Sequence, residues 1–250
     1  MTTDINVPHS GSSMRHSSRD QIDSYAWEDI LRELDTAGSA LLPALLDAEQ
    51  CSSLAALYEN RALFRSRVVM ARHGFGRGEY QYFNYPLPFI IDDLRASLYG
   101  RLVPLANAWN KAMRIETEFP VKHPEYLERC AQAGQRKPSP LLLRYAAGDF
   151  NCLHQDLYGE HVFPIQVTIL LSEPEIDFSG GEFVLTEQRP RMQSRVEVVP
   201  LRQGDAVAFA VNSRPIKGSR GAYRVKLRHG VSRLRSGRRH TVGIIFHDAA

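Results

Sequence analysis

From Leu141 to the C-terminus the chain reads as short runs in which apolar and polar residues alternate, separated by Gly, Pro and Ser. A period of two marks strands, because successive side chains point to opposite faces. The segments 141–146, 150–154, 163–171, 181–186, 194–199, 205–211, 222–230 and 239–247 each have the length and texture of a strand. Short strands in this number, with little helix between them, predict an antiparallel sandwich or barrel. A jelly roll is the closed arrangement that manages their edges.

The first part of the chain has a different rhythm. Trp27, Ile30, Leu31 and Leu34 recur at helical spacing and predict a helix over Asp23–Thr36. A second helix runs from Asp47, an N-cap candidate, to Asn60. A long one spans Ile91–Met113, and another lies between Pro124 and Ala133. Short strands are expected around Gly38–Pro43 and Arg65–Arg72. After them comes a glycine-punctuated loop, His73-Gly74-Phe75-Gly76-Arg77-Gly78-Glu79-Tyr80, and in an extended chain Tyr80 and Tyr82 share one face. Residues 1–22 are rich in Ser, His and Arg and read as a mobile tail. The predicted class is α+β: a double-stranded β-helix (jelly roll) core over 141–250, with an N-terminal helical support and substrate loop over 23–140. We read 23–250 as one domain.

Composition narrows the class without naming a function. The 250 residues are 43% hydrophobic and 24% charged, ordinary values for a globular protein. No window approaches a membrane span and no apolar signal core opens the chain, so a cytoplasmic protein without membrane contact is expected. Cys51, Cys130 and Cys152 form no CxxC pair and are read as buried, reduced thiols. Net charge is only +3, but from Ser213 through His247 there are ten Lys or Arg residues and no Asp or Glu. Such a block is either a polyanion-facing surface or a solvated edge.

The chemistry concentrates in Leu153-His154-Gln155-Asp156. In an HxD pair on one strand both side chains share a face about 7 Å apart, near enough to converge on one ion. A third ligand from a later strand would complete a 2-His-1-carboxylate face and leave positions open for a cosubstrate and oxygen. His229 is the candidate: in Arg224–His229 the even residues are basic and the odd ones apolar until the histidine. Alone, an HxD is more often a chance spacing. Tyr145 and Gly148 upstream, the Gly180-Gly181-Glu182 turn, and an arginine nine or ten residues after His229 shift that balance.

This order of elements resembles the Fe(II)/2-oxoglutarate-dependent dioxygenase superfamily, over about 110 residues. The stretch Arg144–Asp156 is similar to the corresponding stretch of the AlkB group, which oxidatively demethylates nucleic acids. The whole chain, with its HGFGRGEY and QDLYGEHVFP segments, resembles a bacterial family labelled as oxygenases acting on damaged DNA. It departs from AlkB proteins at Leu143, where they have Asn, and at Tyr158, where they have an acidic residue. Its ending looks more like the prolyl-hydroxylase type.

The resemblance implies Fe(II) held by His154, Asp156 and His229, with 2-oxoglutarate as cosubstrate and O2 as oxidant. It also implies an arginine for the far carboxylate, for which Arg's planar fork suits better than Lys. Arg239 is preferred, with Thr241 sharing its face, and Tyr145 as a second donor. Arg238 is the rival, since it shares parity with Val242, Ile244 and Phe246. Oxygen cleavage would release CO2 and succinate and oxidise a substrate C–H bond; from an N-methyl group, formaldehyde would follow, the chemistry of a DNA-repair demethylase.

Tyr158, Arg77, Tyr80 and Tyr82 are the candidate substrate contacts, and basic residues over 214–239 are candidates to track phosphates. Alternatives are a hydroxylase of a protein side chain or small molecule, a cupin-like metal-binding sensor without turnover, and a zinc hydrolase drafting Glu160, His161 and His247.

Overall fold

A computed structural model of the chain describes residues 18–157, 159–219 and 221–250. The N-terminal part contains α1 (Ser18–Ser24), α2 (Trp27–Ala37), β1 (Ser39–Leu42), α3 (Ala48–Ala56), β2 (Phe64–Val69), β3 (Gly76–Arg77), β4 (Glu79–Phe83), α4 (Phe89–Ala112) and α5 (His123–Gln132). The strands that follow are β5 (Leu141–Ala146), β6 (Phe150–His154), β7 (Ile165–Leu170), β8 (Phe178–Gly180), β9 (Phe183–Gln188), β10 (Arg195–Val199), β11 (Ala206–Ala210), β12 (Ser213–Gly218), β13 (Gly221–Val231) and β14 (Leu234–Ile244).

These strands form two sheets whose named pairings are antiparallel. The larger runs β1-β11-β7-β14-β5-β4-β2, with β8 beside β14; the smaller runs β10-β9-β13-β6-β3, with β12 beside β13. This is the jelly roll that the strand spacing predicts. The N-terminal part is more than a helical support, however: β1, β2 and β4 extend the larger sheet at both ends and β3 extends the smaller. The residues that cover the barrel therefore also close its edges, which would otherwise present unpaired backbone groups.

Helices cover the outer face of the larger sheet. Ile165, Val167, Ile169, Ala206, Ala208, Val242, Ile244 and Phe246 are buried there in one cluster with Leu94, Leu98, Leu102 and Trp109 of α4. A second, smaller cluster fills the space between the sheets, with Tyr145, Phe178, Phe183, Leu185, Val207 and Phe209. Two buried arginines fasten the layers. Arg95 on α4 donates to the Ile245 and His247 carbonyls at 2.8 and 2.9 Å and pairs with Asp248 at 2.6 Å. Arg214 on β12 donates to the last carbonyls of α2, Asp35 at 2.6 Å and Thr36 at 2.9 Å, and pairs with buried Glu187 at 2.5 Å. Those carbonyls have no partner inside their helix, so the guanidinium completes its end.

Several expectations change in detail. Residues 18–22, read as the end of the tail, are helical; Ile22 is fully buried and its carbonyl accepts the Trp27 indole N–H at 2.7 Å. One apolar anchor was too weak a compositional signal against its polar neighbours. The remainder of the expected tail, 1–17, lies outside the described residues. α3 begins with a full capping box between Asp47 and Gln50. Cys51 and Cys130 are buried, but Cys152 is exposed. Among the described residues no helix is long and apolar enough to cross a membrane.

Candidate active site

Strand pairing brings the chemistry together. β13 pairs with β6 so that His229 lies directly across from His154, with ring centroids 4.2 Å apart. Asp156 lies just beyond the end of β6, its Oδ1 3.5 Å from His154 Nε2 and its Oδ2 3.4 Å from His229 Nε2. One ligand atom from each lies within 4.8 Å of the others, close enough to share an ion. The His154 Nδ1 sits 2.8 Å from the Cys152 carbonyl oxygen, which only a protonated nitrogen satisfies. Its Nε2 is thereby left with a free lone pair aimed at the cluster.

Electrostatics favour the metal-binding forms. Burial and the neighbouring His229 both push the His154 imidazolium below its usual range, keeping the ring neutral. Burial alone would raise the Asp156 carboxyl, but the His229 ring, 3.4 Å away, holds it down at about 2 through hydrogen bonding and charge, with a further hydrogen-bonding contribution from the Gln166 amide. A neutral imidazole and an ionised carboxylate are what a divalent cation requires.

The cluster lies on the wall of a cavity of about 290 Å³ between the sheets. Arg239, Tyr145, Thr241, Tyr80 and Tyr82 line the same space. Arg239 is cross-strand partner to Tyr145, is 1% exposed, and has its Nε and Nη1 without hydrogen-bond partners. Among the described residues no carboxylate lies within ion-pair distance of it.

The sequence model of a family described as an oxygenase catalysing oxidative methylation of damaged DNA matches residues 78–249. The chain belongs to this oxygenase family. An uncharacterised protein of Mycobacterium tuberculosis is 47% identical to it over 168 residues, which is 67% of this chain and 72% of that one. A solved prolyl-4-hydroxylase from Pseudomonas putida superposes with a TM-score of 0.51 at 16% identity, covering 90% of this chain and 99% of that one. An oxidoreductase of the 2OG-Fe(II) oxygenase family from Burkholderia pseudomallei gives 0.51 at 18%, with 91% and 94% covered. At these identities the likeness is one of fold. As an oxygenase the protein is an oxidoreductase.

The residues present would fit Fe(II) and 2-oxoglutarate, the cofactors that the sequence resemblance implies. A buried guanidinium without a counter-ion is costly unless an anion completes it. Burial lowers Arg239 only to about 10, so it stays cationic at neutral pH. Burial pushes the Tyr145 phenol up, so its hydroxyl stays a donor; the Asn151 side chain approaches that hydroxyl without completing a hydrogen bond of normal geometry. Two glycines make room for these side chains. A Cβ at Gly78 (φ +114°) would meet the Tyr145 ring at 2.8 Å, and one at Gly181 (φ +66°) would lie 2.5 Å from Leu234 and 3.2 Å from the Arg239 side chain. The Gly180-Gly181 turn thus folds over the arginine.

Not every expected residue reaches the cavity. Arg238 projects from the opposite face of β14 and is exposed. Its parity with Val242, Ile244 and Phe246 misled because those residues face the helices, whereas Arg239 and Thr241 face the cavity. Arg77 is exposed on β3 beside Phe150 and is not part of the cavity lining. Tyr158 lies outside the described residues. His247, drafted for a zinc site, accepts from the Phe163 N–H through Nδ1 at 3.3 Å instead.

The 214–239 segment also divides. Arg214 and Arg239 are buried and Arg220 lies outside the described residues, while Lys217, Arg224, Lys226 and Arg228 are exposed; Arg224 donates to the Met113 carbonyl at 2.6 Å. The candidate residues of the sequence do not include Gln166, which is 4% exposed and lines the cavity; its amide nitrogen approaches the Asp156 carboxylate without completing a hydrogen bond of normal geometry. A lone amide in the apolar run Phe163–Leu171 was the available signal.

Proposed function

We propose that His154, Asp156 and His229 hold the Fe(II) of this oxygenase, that Arg239 and Tyr145 receive the far carboxylate of 2-oxoglutarate, and that the substrate is an N-alkylated base in nucleic acid, oxidised at the alkyl carbon. The observation that carries the cofactor reading is the buried, unpartnered Arg239 guanidinium facing the cavity on whose wall the three ligands lie.

When bound, Fe(II), 2-oxoglutarate and O2 supply the oxidising power, with CO2 and succinate as coproducts. The chain's share is to bind, orient and exclude water. His154 offers Nε2 because its Nδ1 proton is committed to the Cys152 carbonyl. Asp156 remains ionised, and Tyr145 and Arg239 stay protonated as donors to a carboxylate. Leu141, Leu143, Phe183 and Phe209 make the rest of the wall largely apolar, which favours a dry reaction space.

Three features support a nucleic-acid substrate: the family's description, the tyrosines and the basic strand. Tyr80 and Tyr82 sit edge to face, with centroids 5.4 Å apart, along the cavity wall, where a planar base could stack. Lys226 and Arg228 lie exposed on the strand that carries His229, where they could follow phosphates.

Anaerobic addition of Fe(II) and 2-oxoglutarate is expected to give a visible charge-transfer band. Arg239→Leu should lose about 2–5 kcal/mol of 2-oxoglutarate binding, the scale for truncating a buried charge partner. Absence of the band in the wild type would end the cofactor reading. Mass spectrometry of reactions with N-methylated oligonucleotides should then show loss of the methyl group and matching succinate; oxidation confined to peptides or metabolites would remove nucleic acid as the substrate.

A further inference from the structure

Strand pairing fixes two of the three cluster residues and leaves the third to other means. His154 and His229 face each other in the β6–β13 ladder, but β6 ends at His154, so Asp156 lies outside it. The residue between them is held by its side chain. Gln155 Nε2 donates to the Asn212 Oδ1 at 2.8 Å and to the Leu227 carbonyl at 2.7 Å. Both of its amide hydrogens are therefore committed.

The two acceptors belong to a junction. Leu227 is on β13, two residues before His229, and its N–H donates to the Asn212 carbonyl at 2.6 Å. Asn212 lies in the short link between β11 of the larger sheet and β12, which pairs in the smaller one. One side chain thus ties the segment carrying Asp156 to the strand carrying His229, at the point where the chain passes between sheets.

We propose that Gln155 is a positioning residue for the metal centre: its two-pronged amide clamp, rather than the strand ladder, sets where the Asp156 carboxylate meets the two imidazoles. This rests on the reading of His154, Asp156 and His229 as metal ligands. Replacing the amide by a group of similar size without donors frees the backbone at 155 and, with it, the direction of the next side chain.

The test is a titration of the metal-free protein with Co(II), followed by calorimetry and the visible spectrum. Gln155→Leu should bind Co(II) about 10–100-fold more weakly, the scale seen when groups that orient metal ligands are removed, with an altered visible spectrum. Its metal-free unfolding midpoint should change little, whereas a merely structural role would lower that midpoint and leave the Kd alone. Asn212→Ala, which spares the Leu227 bond, should give a smaller loss, and the double variant should be no worse than Gln155→Leu.

A folded Gln155→Leu with the wild-type Kd overturns the inference. If that variant does not fold, a wild-type Kd for Asn212→Ala overturns it instead. Failure of the wild type itself to bind Co(II), or unchanged binding by His154→Ala, would sink the metal reading and this inference with it.

Discussion

β13 and β14 follow one another in the chain and contribute His229 and Arg239 to the same cavity, yet they inhabit different environments. On β13, Val225, Leu227, His229 and Val231 are buried while Arg224, Lys226 and Arg228 are exposed, because the outer face of the smaller sheet meets solvent. On β14, every residue from Thr241 to Ile244 is buried, because helices cover the outer face of the larger sheet. Alternation therefore reports the cavity side on β13 and is silent on β14. An apolar partner in the sequence identifies the interior only where the opposite face is wet.

The contrast should be largest in stability. Phe246→Ala removes a ring packed against Phe163, 5.2 Å away, and Tyr99, 6.1 Å away, under the helical layer. It should cost about 3–5 kcal/mol in urea unfolding. A much smaller loss would mean that the helices cover this face only loosely.

Acid should reach the same layer next. Burial, then the charge of Arg95, lowers His247 to about 4, and the same two causes lower His123 to about 3. Unfolded histidines take up a proton near pH 6.5, whereas the folded ones resist until well below it. Stability should thus be intact above about pH 6.5 and fall, on the order of 3 kcal/mol for each histidine, as pH drops toward 4. His247→Leu should flatten that slope in unfolding midpoints measured across the range. The smallest effect belongs to the open sheet: Lys226→Ala should change stability by no more than about 0.5 kcal/mol while weakening salt-dependent oligonucleotide binding.

What could be read beforehand follows the same division. β5 and β6 were bounded to the residue, and the inward placement of His229 was legible from its basic neighbours alone. The choice between Arg238 and Arg239 was not, since both parities of β14 carry buried side chains. The HxD spacing was read as two residues on one strand face, yet Asp156 lies past the strand end and owes its position to a side-chain clamp. Arg214, counted with the surface cations, is instead a buried cap for α2 and partner of Glu187.

By itself the sequence determined periodicity, and with it the strands, the jelly roll and the order of the His-Asp-His residue types, because these depend on neighbours a few positions apart. Which face of a doubly buried strand looks inward, which cation is buried, and what holds Asp156 against two imidazoles were decided only by tertiary structure. Each depends on a surface or acceptor supplied by residues that are distant in the chain.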